Sequence, residues 1–287
     1  MRWARLVLLL LIISIPCVAD ELQYSVEVQV VDLQVSVCDK LGNYITTVQP
    51  EDFIVTENDL PQEVLDVTAE REPFSIGIVL DTSSSMESSW RIATKATEDF
   101  VASLRKEDEF FVVSFDDDVK VRSEFAYAGD APFKLGNLHY GNRTAMFQGI
   151  INSIVKLSTA QYPRRALFII SDGMNTWGPG DEKTARELAQ KTKTVIYSLI
   201  VQSDDYSLFN PLVTLPQATG GTYFLMEEQF PRIKTAYEKI ASDLAHRMTL
   251  YYRTHSDYAA TKKPVIKIKM RNPDWRVQYQ KAYYPGS

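Results

Sequence analysis

The chain has 287 residues, of which 45% are hydrophobic and 24% charged, a make-up that excludes a disordered or fibrous protein. Its length suits one large domain with a smaller one. A formal charge of −6 excludes the strongly basic surface that nucleic acid or an anionic membrane selects.

Arg2 and Arg5 precede an apolar stretch from Leu6 to Ile15, and Cys17-Val18-Ala19 supplies the small residues of a cleavage site. Residues 1–19 are therefore expected to be an export signal, with the mature protein secreted or held in the periplasm or cell envelope. The stretch is shorter than the roughly 20 residues a membrane span needs, and no later stretch qualifies. Cleavage removes two arginines and no acid, moving the formal charge from −6 to −8. It also removes Cys17, leaving Cys38 without a disulfide partner. Cys17 as a lipid-attachment site is the alternative, which Ser14-Ile15-Pro16 fits poorly.

From Gln23 to Cys38 the sequence alternates in strand fashion, but Val26, Val28 and Val30 are out of phase with Val31, Leu33, Val35 and Val37. Such a slip predicts a bulge or two strands. Phe53–Val55 and Val64–Val67 are further short strands between turn-forming stretches, so residues 20–72 read as all-β. At Ser75 the pattern changes. Continuous apolar runs at Ile76–Leu80, Phe110–Phe115, Ala166–Ile170 and Val195–Val201 suit parallel strands covered on both faces. Helical spacings lie between or after them, at Ile92–Leu104, Phe147–Leu157 and Ile233–Leu244. This alternation predicts a doubly wound, mostly parallel α/β sheet over 73–246. Val119–Phe125 follows Phe115 after only three aspartates and is expected to return antiparallel. Beyond His246, Ile266–Met270 and Trp275–Tyr279 alternate as a hairpin. The β segments 20–72 and 247–287 are each too small for a core. They are expected to form one β module into which the α/β domain is inserted.

Three separated pieces carry the chemistry. The first apolar strand ends in Asp81-Thr82-Ser83-Ser84-Ser85, Gly141-Asn142-Arg143-Thr144-Ala145 opens a helix, and the run Ala166–Ile170 ends in Ser171-Asp172-Gly173. Ligands of open α/β sheets bind outside the carboxyl ends of the strands, where strand order reverses, so Asp81 and Asp172 can converge there. Carboxylate and hydroxyl oxygens suit a hard cation such as Mg²⁺, with Mn²⁺ or Ca²⁺ as alternatives, and nothing nearby favours zinc. A single bound ion would also relieve the repulsion of the two carboxylates. Taken singly, Asp-x-Ser-x-Ser is also a helix cap and Ser-Asp-Gly an ordinary turn.

These residues resemble the metal-ion-dependent adhesion site of the von Willebrand factor type A family. The resemblance spans about Pro73 to His246, including Asp108-Glu109-Phe110 and Ala218-Thr219-Gly220-Gly221. On the flanks, Glu51–Glu57 and Lys281-Ala282-Tyr283-Tyr284 look like a bacterial secreted subgroup. Ser84 stands where many members have Gly, which spares the oxygen ligands. The resemblance implies direct ligation by Ser83 and Ser85, ligation by Asp81 and Asp172 directly or through water, and ligation by Thr144 in the ligand-bound state. It further implies a protein partner whose acidic side chain completes the coordination.

Trp177, on the loop after Asp172, is a candidate partner contact together with Tyr140 and Asn175, although an aromatic there could also fold back over a helix end. Asp116-Asp117-Asp118 reads as an acidic turn rather than a second ion site, and His139 as an isolated surface histidine. Cys38 reads as an inert buried thiol. The rival function is a Mg²⁺-dependent phosphohydrolase using Asp81 as nucleophile. Such an enzyme needs a second acid two residues on, where this chain has Ser83, and no phosphate-cradling glycine loop is present. The other rival is a structural module with a vestigial metal site. No catalytic residue is assigned, and the sequence leaves the oligomeric state open.

Overall fold

A computed structural model describes residues 29–69, 72–130, 132–136, 138, 140–201, 210–226, 230–254 and 263–282. Residues 1–19, expected to be an export signal, lie outside the described residues, as do His139 and Tyr283-Tyr284.

The chain opens with β1 (Gln29–Cys38), β2 (Phe53–Glu57) and β3 (Leu60–Thr68). The α/β unit follows: β4 (Phe74–Asp81), α1 (Trp90–Ser103), β5 (Glu109–Phe115), β6 (Val119–Tyr127), α2 (Met146–Leu157) and β7 (Arg164–Ser171). It continues through α3 (Glu182–Lys191), β8 (Thr194–Val201), α4 (Asn210–Thr219), β9 (Tyr223–Met226) and α5 (Phe230–His246). The described chain ends with β10 (Met248–Thr254), β11 (Ile266–Met270) and β12 (Arg276–Tyr279).

The α/β sheet has the order β6-β5-β4-β7-β8-β9. Its pairings are parallel except β5–β6, which is antiparallel because only Asp116–Asp118 separates the two strands. Every residue of β4, β5 and β8 is buried, since helices cover both faces. Ile76, Ile78 and Leu80 pack with Phe100 of α1 and Ile240 of α5 on one face. Val79, Phe111 and Val113 pack with Ile150 of α2, Ala189 of α3 and Leu215 of α4 on the other. β4 leads through α1 to β5 on one side, while α2 leads to β7 on the other side of β4, so strand order reverses at β4.

The second sheet, β11-β2-β3-β10-β1-β12, is antiparallel throughout and barrel-like. Its outer strands approach at the Val265–Ala282 bridge, where the Ile266 N–H donates to the Lys281 carbonyl at 3.1 Å. Val35, Val37, Phe53, Val55, Leu250, Tyr252 and Ile268 fill its interior.

Two expectations about strand pairing need correction. β1 pairs with β10 in unbroken register across Val30 and Val31, so no bulge separates them. Val31, Leu33, Val35 and Val37 face the interior and Val30 is exposed; the register shift lies instead in the β10–β3 pairing, at Tyr251/Tyr252. Nor do β11 and β12 form a ladder with each other. β11 pairs with β2 and β12 with β1, because each then buries its apolar face in a core that a free hairpin lacks.

A buried polar cluster joins the two units where α5 runs into β10. Arg247 is wholly buried and donates to Asp243 at 2.9 Å, to the Tyr197 hydroxyl at 3.0 Å and to the Gly220 carbonyl. The Tyr197 hydroxyl in turn donates to Asp243. The Tyr44 ring stacks on His246 beside it, with 5.3 Å between centroids. Cys38 is partly exposed rather than buried, and burial pushes its thiol above the ordinary pKa.

Candidate metal centre

β4 ends at Asp81 and β7 at Ser171, on adjacent parallel strands in register. Their carboxyl ends therefore open onto the same edge, at the strand where order reverses. The Asp81 carboxylate is fixed there by two donors. The Ser83 N–H donates to Oδ1 at 2.9 Å, and the Ser171 hydroxyl donates to Oδ2 at 2.6 Å. Ser171 receives the Gly173 N–H at 3.0 Å, while Asp172 Oδ1 accepts the Met174 N–H at 2.9 Å, so the turn after β7 is tied to its own side chains. The tripeptide Ser171-Asp172-Gly173 stands out in the sequence, but its serine carries no role there. Its hydroxyl holds Asp81 in place.

The loop before α2 is brought alongside by backbone bonds. Gly141 bridges Ser83, donating to the Thr82 carbonyl at 3.1 Å and accepting from the Ser84 N–H at 2.9 Å. A Cβ at residue 141 would lie 2.5 Å from the Cβ of Asp116, so only glycine allows this approach. Asp116 supports the loop in another way. Its carbonyl accepts the Ala145 N–H at 2.9 Å, and its carboxylate accepts from Thr82 at 3.2 Å and from Lys120 at 2.9 and 3.0 Å. Burial works against that carboxyl, but Lys120 and the Asp118 N–H outweigh it and hold its pKa below the ordinary value. Both oxygens being engaged, Asp116 acts as a strut, in keeping with an acidic turn.

Thr144 is locked to the loop after β7. Its N–H donates to Thr176 Oγ1 at 2.9 Å, and its carbonyl accepts the N–H groups of Thr176 and Trp177 at 2.9 and 3.1 Å. Asp81, Ser83, Thr144 and Asp172 are all buried, and Ser85 is exposed at the rim. Burial pushes the Asp81 carboxyl up to about 7, the two hydrogen-bonded serines opposing it and the charge of Asp172 adding to it.

Donor chemistry and spacing both fit a hard divalent ion. Ser83 Oγ and Ser85 Oγ lie 3.0 Å apart. Two oxygens at about 2.1 Å from one ion, in adjacent octahedral positions, are separated by about 3.0 Å. No group of three or more His, Cys, Asp or Glu side chains that could hold a metal occurs among the described residues. The set here has two carboxylates and three hydroxyls, so any ion held here would depend on serine and threonine oxygens.

The candidate partner contacts surround the crevice. Trp177 is 50% exposed, with the Arg143 guanidinium 4.0 Å from its ring centroid. Tyr140 is 38% exposed and meets Trp90 edge-on. Asn175 is exposed, yet its side-chain oxygen accepts the Phe147 N–H at 3.2 Å and so caps α2.

Residues 76–175 match the model of the von Willebrand factor type A domain family. The chain carries a von Willebrand factor type A domain. A von Willebrand factor type A protein from Catenulispora acidiphila superposes with a TM-score of 0.54 at 13% identity, over 91% of this chain and 64% of its own. The ArnB paralog VWA2 from Sulfolobus acidocaldarius gives 0.53 at 13% identity, over 88% and 75%. Both are likenesses of fold. No curated protein matches the chain. The matched segment of the type A domain runs from β4 to the loop after β7, and so contains all five oxygen donors together with Asn175.

Proposed function

We propose that this chain is an exported interaction module that holds one divalent cation through Asp81, Ser83, Ser85, Thr144 and Asp172. The cation grips a protein partner through an acidic side chain of that partner. Asp81 and Asp172 supply the charge, the hydroxyls of Ser83, Ser85 and Thr144 supply neutral oxygens, and Ser171 orients Asp81. When bound, the ion supplies an electrophilic centre for a partner carboxylate. Trp177, Tyr140 and Asn175 form the surrounding contact surface, with Trp177 as its apolar anchor. Export rests on the arginines and apolar stretch at residues 2–15.

The observation that carries this reading is the 3.0 Å spacing of Ser83 and Ser85 Oγ beside two strand-end carboxylates, with no second acid two residues after Asp81. That missing acid also disfavours the phosphohydrolase alternative, and von Willebrand factor type A domains are in general interaction modules rather than enzymes. For the domain division we propose 20–72 and 247–287 as one β module and 73–246 as the type A domain inserted in it. The pairing of β1 with β10 and β12, and of β2 with β11, supports this.

The test is calorimetry with Mg²⁺ and Mn²⁺, followed by capture of partners from the native secretome in Mg²⁺ and in EDTA. One ion should bind per chain, and Thr144→Ala, which deletes an oxygen without changing charge, should weaken cation-dependent capture. Capture equal in Mg²⁺ and EDTA would refute an ion-bridged interface.

A further inference from the structure

At the opposite end of the α/β sheet from Asp81 lies a cleft of about 310 Å³ between the two sheets. One wall is the start of β7 with the turn from α3 to β8, contributing Arg164, Arg165, Lys191, Thr192 and Lys193. The other is β1 and β10, contributing Asp32, Gln34 and Thr249. β7 runs from this cleft to the metal crevice, so about 23 Å separates them at about 3.3 Å per residue.

Within an acidic protein this cleft concentrates positive charge: among the described residues that line it, four cationic side chains face the carboxylates of Asp32 and Glu72. Lys193 is paired with Asp32 at 2.7 Å. Arg164 lies 4.1 Å from the Phe74 ring centroid and donates to the carbonyls of Glu72 at 2.8 Å and Arg247 at 3.2 Å. Lys191 is exposed and makes no ion pair among the described residues.

Two buried polar atoms of lining residues lack partners. Arg165 reaches the Thr192 carbonyl at 3.4 Å through Nη1, but its Nε is buried without an acceptor. Gln34 donates through Nε2 to Thr249 Oγ1 at 3.0 Å, yet its Oε1 is buried without a donor. A buried donor left unpaired is costly, more so on a charged group, and a ligand that satisfies it recovers that cost. The two orphans are of opposite kind, a cationic donor and a neutral acceptor. A complementary molecule presents an anionic oxygen to one and a hydroxyl to the other, and the volume suits a single small molecule.

We propose that this cleft binds a small hydroxylated anion, its carboxylate or phosphate held by Arg165 and Lys191 and its hydroxyl donating to Gln34. Because the cleft is walled by both sheets, bound ligand ties the α/β unit to the barrel-like sheet. This site works without the divalent cation.

The test uses the full chain in EDTA at constant ionic strength, followed by thermal unfolding and calorimetry. Glycerol 3-phosphate against inorganic phosphate, and malate against malonate, distinguish the phosphate and carboxylate sources and expose the role of the hydroxyl. One pair should give a saturable rise in Tm of about 2 °C or more with one molecule bound per chain, the hydroxylated member binding tighter, and chloride giving no rise. Lys191→Gln, at an exposed position that folding does not need, should weaken binding about tenfold. Gln34→Leu should erase the preference for the hydroxylated member, and Lys95→Gln on α1 should change nothing. Absence of a saturable shift in both pairs, or equal affinity in Lys191→Gln, would overturn the proposal and leave ordered water as the cleft's occupant.

Discussion

Replacing Asp81 by Asn separates the cost of the buried carboxylate from its use. Without a cation, burial pushes this carboxyl up to about 7 from the ordinary 3.8. A folded-state pKa raised above the unfolded one means that the native state holds its proton more firmly. Ion-free stability is therefore fullest below about pH 4 and falls as pH rises through the window from 3.8 to about 7. At about 1.4 kcal/mol per pH unit, the group costs the ion-free protein up to about 4 kcal/mol above pH 7. Asn removes that charge and keeps the geometry. Its amide oxygen can accept the Ser83 N–H, and its amide nitrogen can donate to the Ser171 hydroxyl, which rotates to accept. In EDTA at pH 8, Asp81→Asn should be more stable than the native chain by about 2 kcal/mol or more, a rise in Tm of about 4–8 °C. At pH 4 the two should nearly coincide. Adding Mg²⁺ at pH 8 should raise the Tm of the native chain and leave the variant unmoved. Urea unfolding at the two pH values, with and without Mg²⁺, reads all of this. A variant less stable than the native chain in EDTA at pH 8, or a difference independent of pH, would refute the reasoning.

Asp243→Asn leaves the Arg247 guanidinium buried without its carboxylate and should cost about 3–5 kcal/mol by urea unfolding, whereas the double change Arg247→Met with Asp243→Leu should cost much less. Gly141→Ala drives a methyl against Asp116 and should both destabilise by about 1–3 kcal/mol and weaken Mg²⁺ binding in calorimetry, since Thr144 shares that loop. Trp177→Ala should weaken partner binding by about 2 kcal/mol or more in surface plasmon resonance if the ring is a central anchor, while circular dichroism stays unchanged because the ring is half exposed. A fragment of residues 73–246 should give a dispersed NMR spectrum alone and one of 20–72 should not, because β10 lies between β1 and β3 in the sheet.

Much of the α/β unit was legible locally. Runs such as Ile76–Leu80 and Ala166–Ile170 are apolar at every position because helices cover both faces of their strands, and that continuity needs no tertiary knowledge to read. The positions of Asp81, Ser83 and Ser85 at the end of β4, Thr144 before α2 and Asp172 after β7 were legible too, because a strand end and a helix start are read from the neighbouring pattern. Elements with thin apolar signals were not legible. α3 buries only Ala185, Ala189 and Gln190, α4 contains Pro216, and β9 is a four-residue edge strand.

What the sequence by itself determined was the order of buried strands and the chemistry of the donors at their ends, since both follow from a residue and its near neighbours. Only the tertiary structure decided who pairs with whom across the antiparallel sheet. Alternation along β11 and β12 fixes which face is apolar but carries no information about the neighbouring strand, and the deciding factor was the core that β2 and β1 complete with them. The supports of the crevice belong to the same category. Ser171 beneath Asp81, the close approach of Gly141 to Asp116, and the tie between Thr144 and Thr176 each join residues tens of positions apart, and nothing in the local pattern records such distances.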